Sequence, residues 1–233
     1  METYKSKTIL LGVTGSQAHG LSGPDSDVDM RGIFVYPTEA VLGLPKFCGK
    51  DVSTSPVDDT VMYEVGKFVS LALAANPSIL ELLFLPEYGY ITNEGKLLVV
   101  KREAFLSRKV RNTYGGYAVQ QYKKLKLREE QGMEGWGPAL KKRREKHGRH
   151  LARLLLQGQE LLKQGEFSVK LNKKDRNTVR RVSALPTEDI GKWFEEELEK
   201  MDALVANSPL PEEPDYELVN YILLEIRGDN YNA

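Results

Sequence analysis

The hydrophobic and polar positions change period several times along this 233-residue chain, and each change marks an expected element. Thr8 to Val13 is continuously apolar, as in a buried strand. A Gly-Ser turn follows, then one or two helical turns over Ser16 to Leu21, then Gly20, Gly23 and Pro24 as punctuation. Pro24-Asp25-Ser26 reads as a turn into a second strand, which opens Asp27-Val28-Asp29 and stops at Pro37. Residues 38–58 show no period and are expected to be loop. Asp58 to Glu64 reads as a third strand. Gly66 to Ala75 places Phe68, Leu71 and Ala75 on one helical face. Asn76-Pro77 breaks that helix, because the residue before a proline avoids helical geometry, and Pro77 then suits the first turn of the next.

Residues 91–130 carry a helical pattern in two pieces, Lys96 to Val110 and Tyr114 to Glu130, divided at Asn112-Thr113. Gly115 and Gly116 each cost about 1 kcal/mol inside a helix, which favours a boundary or a close contact there. From Ala139 a long helix carries a stripe of Leu151, Leu154, Leu155, Leu161 and Leu162, and Gly165 stops it. Residues 166–171 read as a short strand or extended link, and residues 172–176 as a turn. Thr187 followed by two acids opens another helix. Tyr216 to Arg227 forms the last, ending at Gly228. Strands followed by helices predict an α+β fold. Residues 1–90 would form a small mixed sheet of three to five strands bearing the site, and a helical region over 91–233 would lie across its cleft.

Composition adds exclusions. The chain is 41% hydrophobic and 28% charged, as in ordinary globular domains. A single cysteine, Cys48, rules out an intramolecular disulfide and a cysteine-based zinc cluster. The N-terminal apolar run is too short for a signal peptide, and no apolar stretch approaches a membrane span, so a cytoplasmic protein with no membrane partner is expected. The net charge of zero conceals an asymmetry. Residues 101–153 hold 16 Lys or Arg against 5 Asp or Glu, whereas residues 187–217 hold 2 against 11. The basic block would either bind a polyanion or be neutralised by the acidic segment folding onto it. Tyr114, Tyr117 and Tyr122 among its lysines would stack bases or, as helical spacing more often means, fill a core.

The candidate chemistry sits in Leu11 to Tyr36. Strand alternation puts Asp27, Asp29 and Arg31 on one face. Two carboxylates about 6–7 Å apart along a strand repel unless a cation lies between them. A hard divalent ion such as Mg²⁺, completed by water and substrate phosphate, suits them. Thr14-Gly15-Ser16 would add a tight turn with amides and a hydroxyl, as a triphosphate needs. His147 and His150, at i,i+3, lack the further ligands a zinc site requires. His19, three residues after Ser16, would either face a nucleotide or cap the short helix.

Gly15-Ser16 followed by Asp27-x-Asp29 resembles the signature of the DNA polymerase β-type nucleotidyltransferases. The longer string GSQAHGLSGPDSDVDMRGIFV is similar to a narrower group, the YcgL/RlaP-like nucleotidyltransferases associated with RNA repair. Asn76-Pro77 with Glu81, and Lys146, His147, His150, Arg153 and Leu154, also match patterns of that group. The resemblance implies a polymerase β-like core and transfer of an NMP from an NTP to an acceptor hydroxyl. It implies two Mg²⁺ ions (or Mn²⁺) on Asp27, Asp29 and a third carboxylate. Asp59 is the first choice for that third acid, Glu64 the alternative, and Asp58 a weaker one. Gly15, Ser16, His19, Arg31, Lys146, His150 and Arg153 would contact the nucleotide. Arg31 would instead hold the aspartates apart if it were purely structural, and Glu81 is expected to be a buried polar contact. An RNA end is the expected acceptor. A protein side chain, a small molecule, a toxin–antitoxin partner and a non-catalytic nucleotide-binding role are the alternatives. Oligomeric state is not set by any of these residues.

Overall fold

The computed structural model describes residues 6–24, 26–44, 50–55, 59–131 and 138–230. They divide into two compact units, residues 1–105 with 214–233, and residues 106–213. The expected boundary near residue 90 thus falls inside the first unit, and the last helix returns to it.

The first unit is built on a mixed five-stranded sheet of order β3-β4-β2-β1-β5. Its strands are β1 (Lys7–Thr14), β2 (Asp29–Val35), β3 (Val52–Ser55), β4 (Thr60–Glu64) and the two-residue β5 (Tyr90–Ile91). β1 pairs antiparallel with β2 and β5, β3 antiparallel with β4, and β2 parallel with β4. Residues 38–58, expected to be loop, contribute helix α2 (Thr38–Leu42) and β3. β3 is legible only through its pairing, because isolated strand propensity is weak and the partner supplies the hydrogen bonds.

Helix α1 (Gly15–Ala18) is one turn long. Helices α3 (Val65–Leu73) and α4 (Pro77–Leu83) follow the expected break at Asn76, whose side chain caps the Ser78 amide at 3.0 Å. Almost all of α4 is buried, and a Cβ on Gly12 of β1 would strike Leu85 and touch Leu82. α4 therefore lies against the β1 face that also carries Thr14 and, across the strand pair, Asp29 and Arg31. Helix α5 (Asn93–Val100) is capped by Thr92. Helix α10 (Tyr216–Asp229) closes the unit. Arg227 Nη2 on α10 forms an ion pair with Glu64 Oε1 at 2.6 Å, and Thr38 donates to the Arg227 carbonyl. Among the described residues no single helix is long and apolar enough to cross a membrane; α3 and α4 pass only as a pair bent by 112°.

The second unit is helical: α6 (Val110–Gln131), α7 (Pro138–Gln164), α8 (Lys173–Ala184) and α9 (Thr187–Val205). Its core is drawn from Tyr114, Leu125, Leu151, Leu154, Leu155, Leu161, Leu162, Ile190 and Met201. The expected break at Asn112-Thr113 is absent. α6 runs unbroken through Gly115 and Gly116, because Gly115 faces Leu198 of α9 at a spacing a side chain would crowd. Packing outweighs the propensity cost of two glycines. Residues 172–176, expected as a turn, begin α8 instead. Asn172 caps it by accepting from the Asp175 amide at 2.9 Å, so the turn chemistry was cap chemistry. Gly165, at φ +71°, stops α7 as expected.

Candidate active site

The strand directions bring the candidate residues together. β1 ends at Thr14, opposite Asp29, where antiparallel β2 begins. β4 runs parallel to β2 and starts at Thr60, opposite Met30. Asp59 immediately precedes it, in a left-handed conformation (φ +45°) that aspartate tolerates, and its carbonyl accepts from the Met30 amide at 3.3 Å. One end of three neighbouring strands therefore carries the Gly15-Ser16 turn, Asp27, Asp29 and Asp59. Glu64 lies at the other end of β4, opposite Phe34, about 13 Å away at strand rise. It caps α3 through the Gly66 amide (2.7 Å) and pairs with Arg227. Of the two leading candidates for a third acid, Asp59 is the one at the aspartate end.

The strand opens at Asp29 rather than Asp27, which corrects the expected alternation: Asp27 precedes the strand, so pleating does not fix its face. Asp27 and Asp59 are exposed, and Asp29 is half-buried. Asp29 lies hard against Gly15, where a Cβ would overlap its Oδ2 and where φ is +71°. Glycine is required there twice over, for backbone and for space. Among the described residues no three His, Cys, Asp or Glu side chains are gathered as a metal-holding group. The oxygen-only donors at this strand end nonetheless suit a hard divalent cation. Asp25 and Asp58 lie outside the described residues.

Thr14 is fully buried, donates to the Asp29 carbonyl (3.3 Å) and accepts from Arg31 Nη1 (3.3 Å). Arg31 is half-buried, its Nε has no partner among the described residues, and it forms no ion pair there with Asp27 or Asp29.

Glu81, 1% exposed on α4, organises the turn from behind. Its Oε1 accepts from the Gly15 amide at 2.5 Å, and its Oε2 lies 3.2 Å from His19 Nε2. A carboxylate buried this deeply persists only with such partners. The Gly15 amide, expected to meet a phosphate, is therefore given to Glu81, and the buried His19 is directed at the same carboxylate. Ser16, next in the turn, is half-buried. The Asn-Pro spacing ahead of Glu81 was the sequence signal for this residue, and a buried polar contact is what it makes.

Lys146, His150 and Arg153 lie on α7, in the second unit, whereas the aspartates lie in the first. Lys146 is exposed and His150 half-buried. Arg153 is 6% exposed and donates to Gln157 Oε1 at 2.8 Å, while Gln157 donates to the Ser168 and Val169 carbonyls. His147 Nδ1 lies 2.8 Å from Gln121 Oε1 of α6. Burial first, then the charges of Lys124, Arg128 and Lys146, hold its pKa below the usual histidine value.

Comparison with known proteins places this geometry. No curated protein matches the chain. A crystal structure of a nucleotidyltransferase-like protein from Exiguobacterium sibiricum 255-15 is similar at 10% identity, covering 96% of this chain and 72% of that one, with a TM-score of 0.30. The family model for RlaP, described as an RNA repair pathway DNA polymerase beta family, matches residues 1–225. Nearly the whole length is thus matched, and the chain belongs to the RlaP family of polymerase β-type nucleotidyltransferases of RNA repair.

Proposed function

We propose that the protein is a metal-dependent nucleotidyltransferase that moves an NMP from an NTP to a hydroxyl at an RNA end. The observation that carries this reading is the convergence of Asp27, Asp29 and Asp59 beside Gly15-Ser16 at one end of β1, β2 and β4. In the reaction the acceptor oxygen bonds the α-phosphorus, the bond to the bridging oxygen breaks, and pyrophosphate leaves. Asp27, Asp29 and Asp59 would hold Mg²⁺, or Mn²⁺ as a substitute, which would supply charge neutralisation at the phosphates and a lowered pKa for the attacking hydroxyl. The chain's own residues orient the reactants. Glu81 holds the Gly15 turn, and the missing side chain at Gly15 makes room for the Asp29 carboxylate. Arg31, with an unpartnered Nε beside Thr14, supplies a cation for a phosphate oxygen. Ser16 is the turn's hydroxyl donor toward the leaving pyrophosphate.

RNA as acceptor rests on the family's pathway and on the basic block. The test is incubation with each α-³²P-labelled NTP and Mg²⁺, offering RNAs with different ends and the protein itself. Label on RNA that disappears in Asp29→Ala is the expected result. Label on protein alone would move the acceptor to a side chain. Tight NTP binding with no transfer to any acceptor would replace the enzyme reading with a nucleotide-binding one.

A further inference from the structure

The charge asymmetry of the sequence left two outcomes open for the basic block, and the second unit decides between them. Acidic α9 packs against α6 and α7, yet it neutralises little of the block. Asp202 pairs with Arg111 at 2.5 Å, whereas Glu188 and Asp189 are taken by Lys192, and Glu197 by Lys200, all within α9 itself. Other cations of the block are spent internally. Arg108 donates to the Ser208 and Leu210 carbonyls, Arg144 to the Leu185 carbonyl, and Arg153 to Gln157. Lys109 pairs with Glu213, and Arg149 with Glu145.

What is left gathers on one part of the α6–α7 hairpin. The helices run antiparallel, since Tyr114 lies beside Gly158 while Gln121 meets His147. Gln121, Lys124 and Arg128, at i, i+3 and i+7, share a face of α6. Lys146 adjoins His147 on α7, and Arg143 lies one turn before it. Lys124, Arg143 and Lys146 are exposed and Arg128 is half-buried. Among the described residues none of the four has a carboxylate partner. Among the described residues of α6, Glu129 and Glu130 are the acids nearest in sequence, and as neighbours of Arg128 they do not face it. The depressed pKa of His147 reports the same convergence, because Lys124, Arg128 and Lys146 all act on it.

The aromatic residues are already employed. Tyr114 is fully buried, and Tyr122 stacks on Phe194 with ring centroids 5.3 Å apart and Lys126 4.7 Å over its ring. Among the described residues this surface offers cations in a row while Tyr114 and Tyr122 are packed into the unit, which favours phosphate contact over stacking by those two rings.

We propose that the α6–α7 hairpin is an RNA-docking surface on which Lys124, Arg128 and Lys146 contact backbone phosphates of the acceptor strand, largely without regard to base. The proposal rests on the RNA-acceptor reading and names the surface that serves it. The test is fluorescence anisotropy of a labelled single-stranded RNA with the full chain, without NTP or metal, over a salt series. Lys124→Glu/Arg128→Glu/Lys146→Glu is compared with Lys67→Glu/Lys96→Glu/Lys101→Glu, which changes net charge equally on exposed lysines of the first unit. A Gln version of the hairpin triple guards against charge-reversal misfolding, and melting curves check each variant. The hairpin variants should lose at least about tenfold in affinity, and the Gln triple should flatten the plot of log K against log salt by about 2, at roughly 0.7 per lost single-strand contact. The control triple should retain wild-type binding to within a fewfold. Hairpin variants that bind like the wild type, or a control triple that weakens as much, would overturn the surface. Asp29→Ala separates the two claims. If it abolishes transfer while a hairpin triple binds RNA normally, the transferase reading stands and this surface falls. If wild-type protein labels only a non-RNA acceptor, the reading fails at its acceptor and the surface goes with it.

Discussion

The buried carboxylates of the first unit and the surface cations of the helical hairpin use charge in opposite ways. In the first unit the buried carboxylates each have a fixed assignment: Glu81 to Gly15 and His19, Glu64 to Arg227 and the α3 cap. In the second unit Lys124, Arg128 and Lys146 stand at the surface without carboxylate partners among the described residues. Buried charge is costly unless paired, so it becomes architecture, whereas exposed charge costs almost nothing and stays available for a polyanion. Substitutions in the two regions should therefore differ in what they damage.

The largest effect expected is on activity. Asp29→Ala should lower transfer by roughly 10²–10³-fold or more, the scale for losing one transition-state charge stabiliser, with the melting curve nearly unchanged. Full activity in that variant would remove the assignment of the site. Among stability effects, Arg227→Ala should cost most, about 3 kcal/mol by denaturant unfolding, because it leaves Glu64 buried without its cation. A loss under 1 kcal/mol would mean that Glu64 is hydrated in solution. Glu81→Ala should cost about 1–3 kcal/mol by stranding the Gly15 amide, and Glu81→Gln should recover part of it by keeping an acceptor. Equal losses in the two variants would point to packing rather than the hydrogen bond.

Glu94 gives a smaller and pH-dependent effect. Burial raises its pKa, but hydrogen bonds from Lys7 and Thr92 outweigh that and hold it down at about 2. A depressed carboxylate contributes stability above its unfolded pKa, near 4.5, and loses it as the pH falls through about 2. Lys7 is half-exposed, so solvent screening limits the contribution to about 1 kcal/mol. Glu94→Gln should flatten the acid limb of stability between those pH values, and an unchanged limb would assign it to other groups. Smallest of all, Lys124→Ala and Lys146→Ala should each shift stability by less than about 0.5 kcal/mol, which a larger shift in thermal melting would contradict.

The alternation and helical periods along the chain carried much of this architecture. The strand over Thr8–Val13, the break at Asn76-Pro77, the stop at Gly165 and the α+β order all follow from local chemistry that acts within a few residues. The β3 strand, the unbroken α6 and the cap at Asn172 did not show, because each depends on a partner or on competition between a weak local preference and packing. In the site, Gly15, Asp27 and Asp29 were legible from spacing. Glu81 was legible as a buried polar contact, but its partners were not, because they lie 66 and 62 residues earlier in the chain.

What the sequence determined by itself was the inventory: two aspartates after a Gly-Ser turn, a family signature, and a basic block offset by an acidic one. Those features are local, and local chemistry is written residue by residue. The tertiary structure alone decided which charges meet. Parallel pairing of β2 with β4 set Asp59 at the aspartate end and Glu64 at the other, since strand direction fixes which terminus lies beside which. The packing of α9 pairs Asp202 with Arg111 and leaves Lys124, Arg128 and Lys146 without carboxylate partners among the described residues, while Glu188 and Glu197 meet lysines of α9 itself.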